Sequence, residues 1–383
     1  MNLDRFDISF TFRQPVLALG GEQKSRFCLA RGREIAVGPD FGDPRSAANL
    51  LAYRAGLAAA CREEGFVPRI IAHDLHPGYA TTLLAKDVAS SWSPPAACRA
   101  VQHHHAHLAS VLADRGLAGP AIGIIWDGTG YGDDGAVWGG EFLVGDPGLY
   151  RRAAHLEYVP LPGGEKAVEE PWRMALAYLH HCRKIDFLNR WLSRGNKPGP
   201  ETVRLLLSMI ERGVNSPPTS SMGRLFDGVS ALIGTGWKNR SPAEAAINLE
   251  RAAGGKIGRP YPFRLSRREK PYVIRLLPLF SALLKDIERR DDTAAISSRF
   301  HAAVISMGVK VAGVLSAESG IRDVALSGGV FRNRIVREGL TAALAAAGLN
   351  PILPRTIDVD DGGLALGQAV AVTAMINCGI GDV

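Results

Sequence analysis

The chain has 383 residues, room for two or three domains, with 46% hydrophobic and 22% charged residues, the balance of a globular enzyme. Its formal charge of +7 favours an anionic ligand, but the basic residues are dispersed and aromatics are only 7%, so a nucleotide is expected rather than nucleic acid. Five scattered cysteines without a C-x-x-C exclude a zinc ribbon or a disulfide framework and fit a reducing cytoplasm.

Met1-Asn2-Leu3-Asp4-Arg5-Phe6 has neither the basic nor the apolar part of a signal peptide, and no apolar run is expected to reach the length of a membrane span. Residues 16–19 predict a strand, Gly20-Gly21-Glu22-Gln23-Lys24 a glycine turn, and residues 27–30 a return strand, with a third strand over 33–37. Residues 46–64 give an alanine-rich helix and 69–74 a strand. His76-Pro77-Gly78-Tyr79 breaks that strand before a helix over 80–87, and residues 92–98, with Pro94 and Pro95, read as a loop.

Next comes Val101-Gln102-His103-His104-His105-Ala106-His107, which packs four of the ten histidines into five positions. Leu108, Val111 and Leu112 continue an apolar stripe and Gly116 is a stop, so the segment is predicted helical. Helical spacing puts His103 and His107 on one face, where two imidazoles share one metal ion, while His104 and His105 point elsewhere.

The opening pattern then recurs: a strand over 121–126, a glycine-aspartate turn Asp127-Gly128-Thr129-Gly130-Tyr131-Gly132-Asp133-Asp134-Gly135, and a return strand over 137–144. Glycines in such a turn let backbone N–H groups approach a phosphate, and the Asp127 carboxylate can hold a metal. Trp138-Gly139-Gly140-Glu141 adds a second glycine-rich turn close by. Residues 165–315 differ. They are helical by pattern over 172–179, 202–210 and 293–315, with loops at 195–200 and 216–223. Just beyond, Asp227 is a candidate for ribose hydroxyls, as Lys24 is for phosphate.

Residues 324–327 read as a strand that ends in Gly328-Gly329 and runs into a helix from about Asn333. Glycines between a strand and a helix N-terminus form an anion cradle, although this is neither a Walker loop nor G-x-G-x-x-G. Asp358, Asp360 and Asp361 stand before a helix over 364–375. With the two histidines they offer a mixed nitrogen and oxygen set that suits Fe(II), Zn(II) or Mn(II). The recurrence implies a duplicated α/β unit with its ligand between the halves, beyond the carboxyl ends of the strands. The first lobe is expected over 1–118 and the second over 119–361, with a helical insertion at about 165–315. A C-terminal helix over 362–378 is expected to pack back on the first lobe.

Together these segments resemble the C-terminal transferase domain of the HypF-type carbamoyltransferases of NiFe-hydrogenase maturation. The matching stretches are 20–29, Asp74-Leu75-His76-Pro77, 101–108, 127–141, 223–234, 326–333 and 361–370, in the family's order. The resemblance implies an actin- and Hsp70-like fold of two RNase H-like halves, shared with tRNA threonylcarbamoyl transferases and antibiotic O-carbamoyltransferases. It implies a divalent metal, Fe or Zn, on His103, His107, Asp127 and Asp361, with Asp360 adjacent to the last. It implies an adenine nucleotide (carbamoyl-adenylate, AMP or ATP) at Lys24, Gly223, Asp227, Gly328, Gly329 and Asn333. The expected reaction moves the carbamoyl group of carbamoyl-adenylate to the C-terminal cysteine thiol of a HypE-like acceptor, with His104 or His105 taking the thiol proton. The acylphosphatase, C-x-x-C finger and adenylate-forming parts of a full HypF have no counterpart in these residues, so a separate carbamoyl-adenylate-forming protein is an expected partner. Three other readings compete: a hydroxyl or tRNA acceptor, a sugar or acyl kinase of the same fold, and a nucleotide-binding scaffold without catalysis. The H-x-x-x-H pair counts against the kinase.

Overall fold

The computed structural model describes residues 2–192 and 198–379. In the first lobe, β1 (Asp4–Ala18) and β2 (Cys28–Val37) pair antiparallel, and β3 (Ile70–Asp74) and β4 (Ala97–Val101) continue the sheet in parallel, in the order β2-β1-β3-β4. Helices α1 (Ala47–Glu63) and α2 (Ala80–Ser90) provide the crossovers. β1 begins at Asp4, well before the strand predicted from 16. Its buried Ile8 and Phe12 alternate with exposed Ser9 and Arg13, a period-two pattern interrupted by register shifts. The two strands predicted after the glycine turn are one, β2. The loop predicted over 92–98 ends early, because Ala97 and Cys98 pair with β3.

In the second lobe, β5 (Ala121–Tyr131), β6 (Val137–Gly145) and β7 (Tyr150–Leu156) form an antiparallel meander. The strands Asp323–Ser327 and Asn350–Ile352 lie parallel to β5 on its other side. Both lobes thus set parallel strands beside an antiparallel hairpin, the duplicated RNase H-like design of actin- and Hsp70-like folds. The stretch 165–315 contributes more than helices, since Arg264–Ser266 and Tyr272–Arg275 extend the sheet beyond β7. Its helices Trp172–His181, Met222–Ile233 and Thr293–Ser319 share one hydrophobic core with that sheet. Thr293–Ser319 corrects one expectation: its 27 residues are long and apolar enough to cross a membrane. Here Phe300, Val304, Met307 and Val311 are buried in the second-lobe core. The loop predicted at 195–200 lies outside the described residues as far as 197, and Pro200 opens the helix Pro200–Arg212.

The histidine segment forms α3 (His103–Asp114), all twelve residues of which are buried. Two apolar stripes explain its place between the lobes. Leu108, Val111 and Leu112 pack on Ile125, Leu143 and Ala325 of the second sheet. Ala106, Ala109 and Ala113 pack with the first sheet and with the C-terminal helix Leu364–Asn377. Each large aliphatic side chain buried this way stabilises by roughly 1.5–3 kcal/mol. The alanine stripe permits close approach: a Cβ on Gly367 would lie 1.8 Å from the Ala106 carbonyl oxygen, so only glycine fits that crossing.

Candidate metal centre

That crossing brings the start of the C-terminal helix to the His103 and His107 face of α3. One Nε2 from each histidine, one oxygen of Asp127 and one of Asp361 all lie within 4.8 Å of one another. His107 Nε2 is 3.1 Å from Asp127 Oδ2 and 3.5 Å from Asp361 Oδ1, and His103 Nε2 is 3.7 Å from each of the same oxygens. Asp361, not Asp360, completes the set. Asp360 points away, accepting from Lys24 Nζ at 2.8 Å and pairing with Arg332 Nε at 2.6 Å.

The outward nitrogens decide which way the lone pairs face. His103 Nδ1 bonds Asp74 Oδ2 at 2.8 Å, and His107 Nδ1 bonds Ser327 Oγ at 3.1 Å, whose own hydroxyl donates to Val359 O at 3.0 Å. Ser327 Oγ gives its proton to Val359 O and Asp74 presents a carboxyl oxygen, so each Nδ1 is the donor of its pair and each Nε2 faces inward. Inside, His103 Nε2, His107 Nε2 and Asp127 Oδ2 are buried without a hydrogen-bond partner. Imidazole nitrogens and carboxylate oxygens that face one another in this way form a cradle suited to a cation. Two imidazoles and two carboxylates suit a borderline divalent ion such as Fe(II) or Zn(II). Burial lowers the pKa of His103 and His107, but Asp74, Asp127 and Asp361 at His103, and Asp127 and Asp361 at His107, outweigh it and raise both above the ordinary imidazole value. Burial likewise opposes ionisation of Asp127, and the two imidazoles still hold it far below the usual carboxylate range.

Asp127 is fixed from behind. Its Oδ1 accepts from Gly128 N at 2.7 Å and Gly329 N at 3.2 Å. The first part of the predicted turn is strand: β5 runs on to Tyr131 through a register shift between Trp126 and Gly130 that includes Asp127, and the turn itself follows at Asp133 and Asp134. Gly328 adopts φ +104°, and a Cβ there would lie 2.2 Å from Trp126 O. A Cβ on Gly223 would lie 2.8 Å from Gly128 Cα. Three predicted nucleotide glycines, Gly223, Gly328 and Gly329, therefore gather round Asp127.

The other candidates are placed differently. Lys24 is taken up by Asp360, with Asp358 3.8 Å away, so its ammonium sits at the rim already paired. Asn333 caps a helix, its Oδ1 accepting from Val336 N at 3.0 Å, and its Nδ2 meets His301 Nε2 at 3.0 Å, which leaves the amide engaged within the protein. Asp227 is fully buried and pairs with Arg224 at 3.0 Å. Burial raises its pKa, with Arg224 opposing. His104 turns from the four donors to the space left by Gly130, whose Cβ would lie 2.4 Å from His104 Cε1. His105 faces the second lobe, its Nε2 3.0 Å from Asp146 O. Glu141 of the W-G-G-E stretch is structural: it is fully buried and binds Arg152 Nε at 2.6 Å, and that guanidinium lies 3.9 Å over Trp138. The sequence reading missed the parts played by Asp74 and Ser327. Their shared signal is position, since both are polar residues at the carboxyl end of a parallel strand.

Residues 11–114 match the family description "HypF Kae1-like domain", and residues 123–368 match "Carbamoyltransferase, Kae1-like Domain, second subdomain". A relative from Cupriavidus necator named "Carbamoyltransferase HypF homolog" is 38% identical over 93% of this chain and 90% of its own length. "Carbamoyltransferase HypF2" of the same organism is 37% identical over 92% of this chain and 46% of its own length. The crystal structure of full-length HypF in the phosphate- and nucleotide-bound form superposes with a TM-score of 0.90 at 32% identity, covering 97% of this chain and 48% of that one. The chain thus spans about half the length of HypF2 and of the solved HypF.

Proposed function

The chain belongs to the HypF carbamoyltransferase family, and from that premise we propose that it transfers a carbamoyl group from carbamoyl-adenylate to the C-terminal cysteine thiol of a HypE-like acceptor, as in NiFe-hydrogenase maturation. The observation that carries this reading is the convergence of His103, His107, Asp127 and Asp361, with the inward atoms of the first three buried without a hydrogen-bond partner. Bound there, a divalent cation of the iron or zinc class supplies Lewis acidity to an oxygen of the reacting group. The remaining residues position. Gly128 and Gly329 hold Asp127 Oδ1 so that Oδ2 keeps its place. Gly223, Gly328 and Gly329 keep side chains away from the floor beside Asp127, and we place the AMP part of the donor there. That a solved HypF is described in a phosphate- and nucleotide-bound form supports a nucleotide as ligand.

The acceptor attacks as thiolate. An S–C bond forms at the carbamoyl carbon, the C–O bond to the phosphate breaks, and AMP leaves with the electron pair. An ordinary thiol, with a pKa of about 8.5, loses its proton readily enough that neither His104 nor His105 is needed as a base. The donor comes from an adenylate-forming partner acting on carbamoyl phosphate and ATP. Five free cysteines accord with a reducing compartment, the cytoplasm.

The test is mass spectrometry of the acceptor's C-terminal peptide after mixing chain, acceptor, adenylate-forming protein, carbamoyl phosphate and ATP. Carbamoylation of the terminal cysteine is expected in the full mixture. It should vanish with His103→Ala/His107→Ala and without the adenylate-forming protein. Modification of a hydroxyl or of tRNA in place of the cysteine would contradict the reading.

A further inference from the structure

We infer that Asp74 is a positioning residue that joins the metal ligand His103 to the loop 75–79 at the rim of the centre, so that ligand orientation and loop conformation are set by one carboxylate. The inference rests on the metal reading above. Asp74 ends β3 and is completely buried, and a carboxyl group tolerates such burial only when its oxygens are hydrogen-bonded. Each oxygen serves a different element. Oδ2 takes the Nδ1–H of His103 on α3 at 2.8 Å, and Oδ1 takes the backbone N–H of His76 at 2.8 Å. The Asp74 carbonyl meanwhile accepts from Thr82 Oγ1 at 3.1 Å, tying α2 to the same point.

The loop so anchored is ordered and reaches across to the second lobe. His76 Nδ1 accepts from Gly78 N at 3.0 Å, and the His76 ring stacks on Tyr79 with centroids 4.1 Å apart and planes 10° apart. Its edge meets the ring of Tyr131 on β5 at 5.1 Å, and Tyr131 O in turn accepts from Gln102 Nε2, just before α3, at 2.9 Å. A turn of the Asp74 carboxylate that releases His103 therefore also releases the His76 wall.

Asparagine does not substitute. It offers one acceptor oxygen, and its NH2 would face the donor of either His103 or His76. His107 is held differently, by the neutral hydroxyl of Ser327, so the charged contact falls on His103 alone.

The experiment uses the whole chain and Co2+ as probe. It measures the dissociation constant by chelator competition, the visible spectrum of bound cobalt, and hydrogen exchange of the segment around His76. Asp74→Asn should weaken Co2+ binding about 10- to 100-fold, alter the spectrum and speed exchange at His76, whereas Ser327→Ala should have the smaller effect. If Asp74→Asn fails to fold, Asp74→Glu keeps the charge but displaces the carboxylate, and the same shifts are expected. A folded variant with wild-type affinity and spectrum overturns the inference while leaving the metal reading intact. Weaker binding with unchanged exchange at His76 overturns the link to the loop. A wild-type chain that binds no cobalt overturns the metal reading, and the inference with it.

Discussion

In the first lobe β3 ends on Asp74, and in the second lobe β5 runs through Asp127. Both aspartates lie toward the carboxyl ends of strands in sheets of the same design, yet only Asp127 places an oxygen among the four donors. Asp74 acts one step back, on His103. The reason is α3. It crosses between the sheets with its alanine stripe against the C-terminal helix and first sheet, and its leucine and valine stripe against the second. The helix layer on the first lobe therefore carries His103, His107 and Asp361, while the second lobe offers Asp127 directly. A duplicated fold has built a single site by letting one copy support what the other touches.

The largest effect expected from breaking this division is loss of the metal. His103→Ala/His107→Ala should leave the purified chain without bound metal by elemental analysis, while His104→Ala, whose ring lies against Gly130 and outside the four donors, should retain it. Unchanged metal content in the double variant would rule out the assignment.

Next is the crossing that joins the two helices. Gly367→Val drives a side chain into the Ala106 carbonyl, and overpacking that cannot relax costs about 3 kcal/mol or more. Denaturant unfolding should show that loss together with weakened metal binding, because Asp361 moves with the C-terminal helix. Wild-type stability would show that the helices separate without strain.

The third effect is smaller and confined to the second lobe. Burial pushes the pKa of His301 down to about 4, and its ring donates from Nδ1 to Ser297 O at 2.8 Å while accepting at Nε2 from Asn333. The unfolded chain, with an imidazole pKa of about 6.5, binds this proton more readily than the folded one. The contribution is therefore fully present above about pH 6.5 and is lost as pH falls toward 4, by on the order of 3 kcal/mol. Thermal unfolding of His301→Asn beside the wild type should show a shallower acid loss in the variant. Identical pH profiles would mean that His301 is not buried as the neutral ring.

Much of the first site could be read along the chain because the signal is local. The i, i+4 spacing of His103 and His107 survives whatever the helix packs against. Asp127 and Gly328 were legible as features of strand ends. Contacts made across the whole fold were not: Lys24 meets a carboxylate 336 positions away, and nothing near either residue announces the pair. Neither were strands whose polar residues are buried by partners. β7 reads Tyr-Arg-Arg-Ala-Ala-His-Leu, without alternation, and Arg152 can be interior there because Glu141 and Trp138 receive it. Asp74 looked like the polar end of a strand, and only the fold shows which histidine it faces.

The measurement that bears most directly on the centre is X-ray absorption at the metal edge of the chain loaded with iron or zinc. The account predicts a shell of nitrogen and oxygen ligands only, at about 2.0–2.2 Å, with the multiple-scattering pattern of two imidazoles that disappears in His103→Ala/His107→Ala. A sulfur shell at about 2.3 Å, or a bound metal with no imidazole signal, would contradict it.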